Sequence, residues 1–158
     1  MSAADPDIAV LEALSERFVT GMLGADEGLR RSLWDEADKG VLHVPEESPV
    51  PFHGWDALER YWSHTTGTLK DIRSTARDRV VVKLSADIAS VTYAMTWRAT
   101  FVGGAYDGMA VAGDNRVTSL WRRREDSWKI FHILEAPLSP LRHIRLESQA
   151  AYRRFWGA

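Results

Sequence analysis

The second half of the chain contains four long stretches of strand-like composition, and they restrict the fold more than any other feature of the sequence. They cover about residues 72–84, 88–102, 109–123 and 128–137. Each stretch is rich in β-branched and aromatic residues, and only short polar or glycine-containing breaks separate them. Short breaks join neighbouring strands as hairpins, so the sequence predicts one antiparallel sheet with these strands in chain order. Strands of this length twist strongly, which favours a curved sheet with a concave face.

The first half of the chain predicts helices that can cover this concave face. The first helix has a clear start, because Asp5 can cap it and Pro6 suits its first position. Its apolar residues then recur at helical spacing. The predicted elements in chain order are a helix over 5–22, a helix over 27–34, short strands over 41–45 and 50–53, a helix over 55–66, the four long strands, and a helix over 140–155.

The overall composition is that of an ordinary globular domain. The chain has 158 residues, of which 45% are hydrophobic and 27% charged, so it can bury one core and is not expected to be disordered. It contains no low-complexity stretch and no linker, so we predict one α+β domain over residues 1–158. The core of this domain covers about residues 8–137, and residues 138–158 form a C-terminal helical extension.

Charge and residue usage argue against several classes of function. The net charge is −2 and no basic face dominates, so we expect no nucleic-acid binding. The absence of cysteine excludes disulfides, thiolate metal sites and thiol nucleophiles. No apolar run approaches the ~20 residues of a membrane-spanning helix, and the acidic N-terminus is unlike a secretory signal. We therefore expect a cytoplasmic protein that does not associate with membranes.

Three segments carry recognisable local patterns. In residues 128–137 a tryptophan is followed by alternating residues, a histidine, and then a small residue and proline. Residues 116–124 combine Arg-Val-Thr with Trp-Arg-Arg-Arg, and residues 44–62 lead from a short hairpin into the third helix. Together these patterns resemble the SnoaL-like and calmodulin-kinase-association-like branches of the nuclear transport factor 2-like superfamily, over about residues 8–137.

The resemblance implies a cone, in which a curved antiparallel sheet wraps around the N-terminal helices and the C-terminal helix is an addition. Enzymes of this fold usually need no cofactor. They place an Asp, Glu or His in the apolar cone, where burial moves its pKa toward neutrality. Other members of the superfamily only bind. One position departs from the branch, which often has a second histidine two residues after His132; here that residue is Leu134.

The last strand supplies the first candidate for acid/base chemistry. Strict alternation places Trp128 and His132 on one face and Lys129 and Glu135 on the other. Lys129 prefers water, so we expect the His132 face to lie inside. His132 is then the preferred general base or acid, although it can equally be a core histidine bonded to a neighbour. Glu135 is the second choice, and turns inward only if the strand bulges near Pro137.

Other strands supply the partners of such a base. In the resembled branch the Arg of the penultimate strand can point into the pocket, so Arg116 could neutralise an anion; a solvated or interface position is the alternative. Tyr93 could donate a hydrogen bond to a substrate oxygen. His43, on the first short strand, is a further acid/base candidate. A metal site built from His43, Glu46 or Glu47 matches no known ligand spacing, so we predict no metal and no cofactor.

The sequence contains seven tryptophans, a residue that often lines sites for flat apolar ligands but also fills cores. The residues predicted to bind substrate are Trp62, Tyr61, Trp97, Trp128 and Met95. For Trp97, plain core packing is the alternative.

Three functions remain open from the sequence. The leading hypothesis is a cofactor-independent lyase or dehydratase, less readily an isomerase or cyclase, acting on an apolar and aromatic small molecule. The alternatives are a non-catalytic binding or assembly domain and a protein that sequesters an aromatic compound. We also expect a homodimer, because an outer sheet face with Val117, Trp121, Phe131 and Ile133 would be apolar.

Overall fold

A computed structural model describes residues 5–21 and 27–138 and shows helices packed into the concave side of one curved sheet. The observed elements in chain order are α1 (Pro6–Gly21), α2 (Glu27–Leu33), β1 (Leu42–Val44), β2 (Phe52–His53), α3 (Trp55–Thr68), β3 (Leu69–Lys83), β4 (Ile88–Phe101), a short 3-10 turn (Gly104–Tyr106), β5 (Ala110–Arg124) and β6 (Ser127–Pro137). The helix predicted for residues 140–155 lies outside the described residues. Within them, no helix combines the length and the apolar character needed to cross a bilayer.

The sheet has six strands in the order β2-β1-β6-β5-β4-β3. Strands β3 to β6 pair antiparallel with their sequence neighbours, which confirms the predicted hairpin order. The short strand β1 pairs antiparallel with β2 and parallel with β6. The parallel pairing places β1, from the first half of the chain, beside β6, a neighbourhood that hairpin connections alone do not supply.

The end of helix α3 differs slightly from the sequence prediction, whereas the start of α1 agrees with it. Helix α3 continues to Thr68, and β3 follows it directly at Leu69, whereas the prediction ended the helix at residue 66. Threonine hydroxyls at this end of the helix donate to carbonyls four residues earlier, as between Thr68 and His64. Helix α1 begins as expected, with the Asp5 carboxylate accepting a bond from the Asp7 backbone N–H at 3.0 Å.

The core lies between the helices and the concave face of the sheet. Its largest fully buried side chains include three of the seven tryptophans: Trp34, Trp121 and Trp128. These three therefore fill the core, which is the structural alternative that the sequence left open. On β5 the buried residues alternate regularly and include Asn115 and Val117.

Strand β6 contains a β-bulge at Phe131. Leu120 of β5 pairs with His132, whereas the adjacent Trp121 pairs with Ile130, so Phe131 is an extra residue without a partner across the ladder. Before the bulge the buried residues are Trp128 and Ile130; after it they are Ile133 and Glu135. The extra residue thus reverses the face to which each later side chain of β6 points.

Gly113 of β5 lies directly beneath the Trp97 indole of β4, and the two residues are paired across the strands. A Cβ atom at position 113 would lie 2.8 Å from Trp97 Nε1 and 2.9 Å from Cε2. We predict that Gly113→Ala destabilises the fold by about 1–3 kcal/mol, because the indole must move. Urea unfolding measures this change.

Gly67→Ala provides the matched control, since no atom lies within 4 Å of its added Cβ on helix α3. Because alanine favours a helix more than glycine does, this variant should be neutral or more stable by up to about 1 kcal/mol. Equal losses of stability in the two variants would contradict the close contact at Gly113.

Asp7 ties the first turn of α1 to the sheet. Its carboxylate accepts hydrogen bonds from Lys83 Nζ at 2.6 Å and from Trp128 Nε1 at 3.3 Å, and it pairs with Arg123. The bonds from Lys83 and Arg123 lower the pKa of Asp7 to about 2, below its usual value of 3.8.

A depressed pKa stabilises the folded state above pH 3.8, and this contribution disappears as the pH falls toward about 2. We therefore predict that Asp7→Asn lowers the thermal midpoint at neutral pH and that this difference shrinks in acid. Asp56→Asn, in the first turn of α3, is the control for the helix-end charge alone. If the thermal midpoints of Asp7→Asn and the wild type differed by the same amount from pH 7 to pH 2, the bonds of Asp7 to Lys83 and Arg123 would not stabilise the fold.

Candidate active site

A cavity of about 460 Å³ opens between α3, the β1–β2 loop and the concave face of the sheet. This volume is in the usual range of about 300–1,000 Å³ for small-molecule sites. The apolar and aromatic lining residues are Pro49, Phe52, Tyr61, Trp62, Leu69, Ile72, Met95, Trp97, Phe101 and Val111. The polar lining residues are Arg30, His43, Glu47, Ser48, His64, Thr65, Thr68 and Glu135. Four predicted substrate-binding residues, Tyr61, Trp62, Met95 and Trp97, therefore do line a cavity.

A buried histidine–carboxylate pair forms part of the cavity wall. His43 Nε2 and Glu135 Oε1 are 3.0 Å apart, and Asn115 Nδ2 donates to Glu135 Oε2 at 2.8 Å. The exposed fractions of His43, Asn115 and Glu135 are 2%, 0% and 8%. The three residues come from β1, β5 and β6, and the parallel pairing of β1 with β6 brings His43 and Glu135 together.

The bulge at Phe131 explains why Glu135 faces the cavity. The prediction placed His132 inside and Glu135 outside, and allowed Glu135 to turn in only through a bulge near Pro137. The inward placement of His132 is wrong, because the extra residue lies upstream, at Phe131, and reverses the alternation before His132. His132 is partly exposed and does not line the cavity. Its pKa is lowered, first by partial burial and then by the nearby charge of His43.

The structure also places three other predicted residues away from the cavity. Arg116 lies on the convex face and is exposed, so its inward placement is wrong; its neighbour Asn115 points inward instead. Trp128 is in the core, where its indole donates to Asp7. Tyr93 faces inward but is buried in the core beyond the cavity lining, and burial, followed by the charge of Glu135, raises the pKa of its phenol.

The loop between β1 and β2 contacts both sides of the cavity through two carboxylates. Tyr61 Oη donates to Glu47 Oε1 at 2.7 Å, and Trp97 Nε1 donates to Glu46 Oε1 at 3.1 Å. Tyr61 and Trp97 belong to α3 and β4, so the loop is held to the helix and to the sheet.

Tyr61 remains a protonated donor at neutral pH. Burial, and then the negative charges of Glu47 and Glu135, raise the pKa of its phenol well above its usual value. Its ring lies 5.1 Å from the His43 ring in an edge-on arrangement and stacks on Phe52 at 4.6 Å. The phenol is therefore fixed beside the histidine–carboxylate pair.

Sequence reasoning missed Arg30 and Asn115. Arg30 of α2 is only 3% exposed and lines the cavity, with its guanidinium carbon 5.1 Å from the Trp62 ring centroid. Helical spacing offered a signal, because Leu33 and Trp34 follow Arg30 by three and four residues and are buried. Asn115 could have been found from its neighbours Val117 and Ser119 on the same face of β5.

Among residues 5–21 and 27–138, no group of three or more histidine, aspartate or glutamate side chains is arranged to hold a metal ion. The polar part of the site consists of hydrogen-bonding and acid/base groups. It combines a hydrogen-bonded His–Glu pair, a protonated phenol and a buried guanidinium in a mainly apolar cavity.

Comparison with known proteins shows that the chain matches a described family. The model of the SnoaL-like domain family matches residues 25–137. Among solved structures, a candidate dehydratase of the nuclear transport factor 2-like family from Streptomyces avermitilis has 23% identity and a TM-score of 0.71, covering 84% of this chain and 97% of that one. No curated protein matches the chain.

Two further structures share the fold. A ketosteroid isomerase-like protein from Erwinia carotovora atroseptica has 21% identity and a TM-score of 0.70, covering 86% of this chain and 99% of that one. A hexachlorocyclohexane dehydrochlorinase from Novosphingobium barchaimii has 17% identity and a TM-score of 0.68, covering 84% and 87%. These likenesses show the nuclear transport factor 2-like fold of the chain.

Proposed function

The chain belongs to the SnoaL-like domain family, and we propose that it is an enzyme that transfers protons to and from an apolar, aromatic small molecule with its own side chains. The observation that supports this proposal best is the buried His43–Glu135 pair in the wall of an apolar cavity. Burial of a coupled acid and base in a low-dielectric cavity is a common way to prepare a group for proton transfer.

The pair acts as one proton-accepting unit. With Glu135 ionised, the Nε2–H of His43 donates to it, and the Asn115 amide holds the second carboxylate oxygen. A proton taken from the substrate is then held by the imidazole of His43, whose Nε2 lies 3.0 Å from the Glu135 carboxylate. The carboxylate stabilises the imidazolium, as in other pairs of a histidine with an acid.

Tyr61 is the best-placed donor for the charge that develops on the substrate. Its phenol lies beside His43 and stays protonated, so it can give a hydrogen bond to an enolate or to a departing oxygen. In this role Tyr61 replaces Tyr93 and Arg116, which do not line the cavity. In the structure the single O–H of Tyr61 donates to Glu47, so it must turn from Glu47 to the substrate oxygen when the substrate binds.

Elimination is the reaction class that we favour, with the enzyme acting as a lyase or dehydratase. It needs a base for the C–H bond and a donor for the leaving group, and the cavity supplies both in one volume. Two structural relatives are named as a candidate dehydratase and a dehydrochlorinase, which are both names for eliminations. Isomerisation uses the same first step and differs only in where the proton returns.

Proton abstraction can be tested without knowing the natural substrate. Aryl ketones such as phenylacetone carry acidic α-hydrogens, and their exchange in D₂O is followed by proton NMR. We predict that the wild type accelerates this exchange and that Glu135→Gln and His43→Gln each slow it by about 10²–10⁴-fold, because each substitution disables the proton-accepting pair.

The matched controls are Glu12→Gln on α1 and His53→Gln on β2, which change exposed side chains. Both should exchange at the wild-type rate. Wild-type rates in the Glu135→Gln and His43→Gln variants would refute the assigned roles. If the ketones bind without any catalysed exchange, the protein is a binding or sequestering domain instead.

We also propose that two copies of the chain associate through the convex face of the sheet. The residues first predicted for that face, Val117, Trp121 and Ile133, are buried in the core, so that assignment is wrong. The convex face instead presents Leu134, which is 46% exposed, and the half-buried Leu120 on the neighbouring strand β5. Aliphatic side chains on this face favour its association with the same face of a second copy of the chain.

We predict that the wild type sediments as a dimer and that Leu134→Lys shifts it to the monomer, because a charge would be buried in the contact. Val50→Lys is the control, since Val50 is 57% exposed but lies on the β1–β2 loop. Analytical ultracentrifugation measures both. A wild-type monomer at micromolar concentration would end this proposal.

A further inference from the structure

We infer that Tyr61 and Glu47 together recognise a hydroxyl group, so that the cavity takes an aromatic alcohol. This inference rests on the proposed function, whose substrate class it makes narrower. The two side chains line the cavity and are joined by a hydrogen bond from Tyr61 Oη to Glu47 Oε1 at 2.7 Å. A ligand that reaches this bond meets a donor and an acceptor side by side.

The bond between Tyr61 and Glu47 differs from those of the other hydroxyls in the cavity wall. Ser48, Thr65 and Thr68 donate to backbone carbonyls of their own loop or helix, at 2.8, 3.0 and 2.9 Å. A ligand that accepted their protons would compete with these local bonds. Tyr61 and Glu47 instead belong to α3 and to the β1–β2 loop, and Glu47 is exposed. A rotation of the Glu47 side chain is therefore enough to open the bond.

The number of hydrogen bonds favours a hydroxyl over other oxygen groups at this place. The Tyr61 phenol carries one proton, so it must leave Glu47 when it donates to a substrate. A ketone oxygen accepts this proton but offers none in return, and the Glu47 carboxylate loses its donor. A hydroxyl accepts from Tyr61 and donates its own proton to Glu47, so one bond is exchanged for two. The bond to the carboxylate is also charge-assisted, and such bonds are roughly twice as strong as neutral ones.

The position of the two side chains fits the proposed chemistry. The ring centroids of Tyr61 and His43 are 5.1 Å apart, so a hydroxyl bound at the phenol is close to the carbon that faces His43. The loop that carries Glu47 stays fixed to the sheet, because Trp97 Nε1 donates to Glu46 at 3.1 Å. The aromatic ring of the alcohol is left to the apolar part of the cavity. Recognition of the hydroxyl thus orients the substrate toward the histidine–carboxylate pair.

Pairs of ligands that differ only in a hydroxyl or a keto oxygen test the inference. Suitable pairs are 1-phenylpropan-2-ol with phenylacetone, and 4-phenylbutan-2-ol with 4-phenylbutan-2-one. Isothermal titration calorimetry measures their dissociation constants. We predict that the wild type binds each alcohol about tenfold more tightly than its ketone, because only the alcohol can donate to Glu47.

Glu47→Ala should abolish this preference. In this variant Tyr61 no longer has to leave an acceptor, so the ketones should bind more tightly than they bind the wild type, a gain that a merely structural role of Glu47 would not produce. Tyr61→Phe should keep the preference, because the alcohols can still donate to Glu47. The matched controls are Glu12→Ala and Tyr106→Phe, which change exposed residues outside the cavity lining and should keep the wild-type preference. Thermal unfolding checks that each variant is folded.

The outcome is distinguishable from that of the proposed function. His43→Gln disables proton exchange but keeps both Tyr61 and Glu47, so it should retain the preference for alcohols. A preference in the wild type without any catalysed exchange would support this inference and refute only the proposed proton transfer.

Three results would overturn the recognition of a hydroxyl by Tyr61 and Glu47. They are equal or tighter binding of the ketones by the wild type, absence of binding by both members of every pair, and an unchanged preference in Glu47→Ala. Loss of the preference in a folded Tyr61→Phe would overturn the role of Glu47 as the acceptor. If Tyr61→Phe loses its fold, the comparison of Glu47→Ala with the wild type still decides the question.

Discussion

The β-bulge in β6 determines which side chains of this strand point into the molecule and which point to the convex face. A regular β6 that buries Trp128 and Ile130 would also bury His132 and Leu134, and it would send Glu135 to the convex face. The unpaired Phe131 allows the strand to bury Trp128 and Ile130 at one end and Ile133 and Glu135 at the other. The neighbouring β5 keeps a regular alternation of buried residues, so the change of face is confined to β6.

Buried polar atoms on β1, β4 and β5 lie near the Glu135 carboxylate. His43 Nδ1, Tyr93 Oη and Asn115 Oδ1 are buried and have no hydrogen-bond partner among the described residues. A buried polar atom without a partner costs about 1–3 kcal/mol. Such a cluster is unfavourable for stability alone, and its location around a carboxylate in a cavity is the arrangement expected where stability is given up for chemistry.

The remainder of the fold holds this polar region in place and keeps water from most of it. Helix α3 supplies one wall and the β1–β2 loop another, and the loop is fixed to helix and sheet through Glu47 and Glu46. The prolines of the loop limit its conformations, which reduces the entropy that the loop loses when the chain folds. The cavity therefore combines a rigid apolar surface with few charged groups, each of which is attached to a different element.

Local patterns in the sequence were sufficient for the architecture. Alternation within the long strands, short breaks between them and the Asp5-Pro6 helix start all act over a few residues, so they predicted the helices, the hairpins and the α+β class. Four of the five predicted substrate-binding residues could also be found in this way, because Tyr61, Trp62, Met95 and Trp97 lie on regular elements whose apolar face is the inner one.

Only the tertiary structure decided which polar side chains meet in the cavity wall. His43 and Glu135 are 92 residues apart, and their contact depends on the parallel pairing of β1 with β6. The inward direction of Glu135 depends on one extra residue, which strict alternation cannot foresee and which moved His132 out of the cavity. The sequence by itself determined the elements and their order, since those follow from local periodicity. The tertiary structure determined which face of the sheet each side chain of β6 after the bulge occupies, since that follows from packing on both sides of the strand.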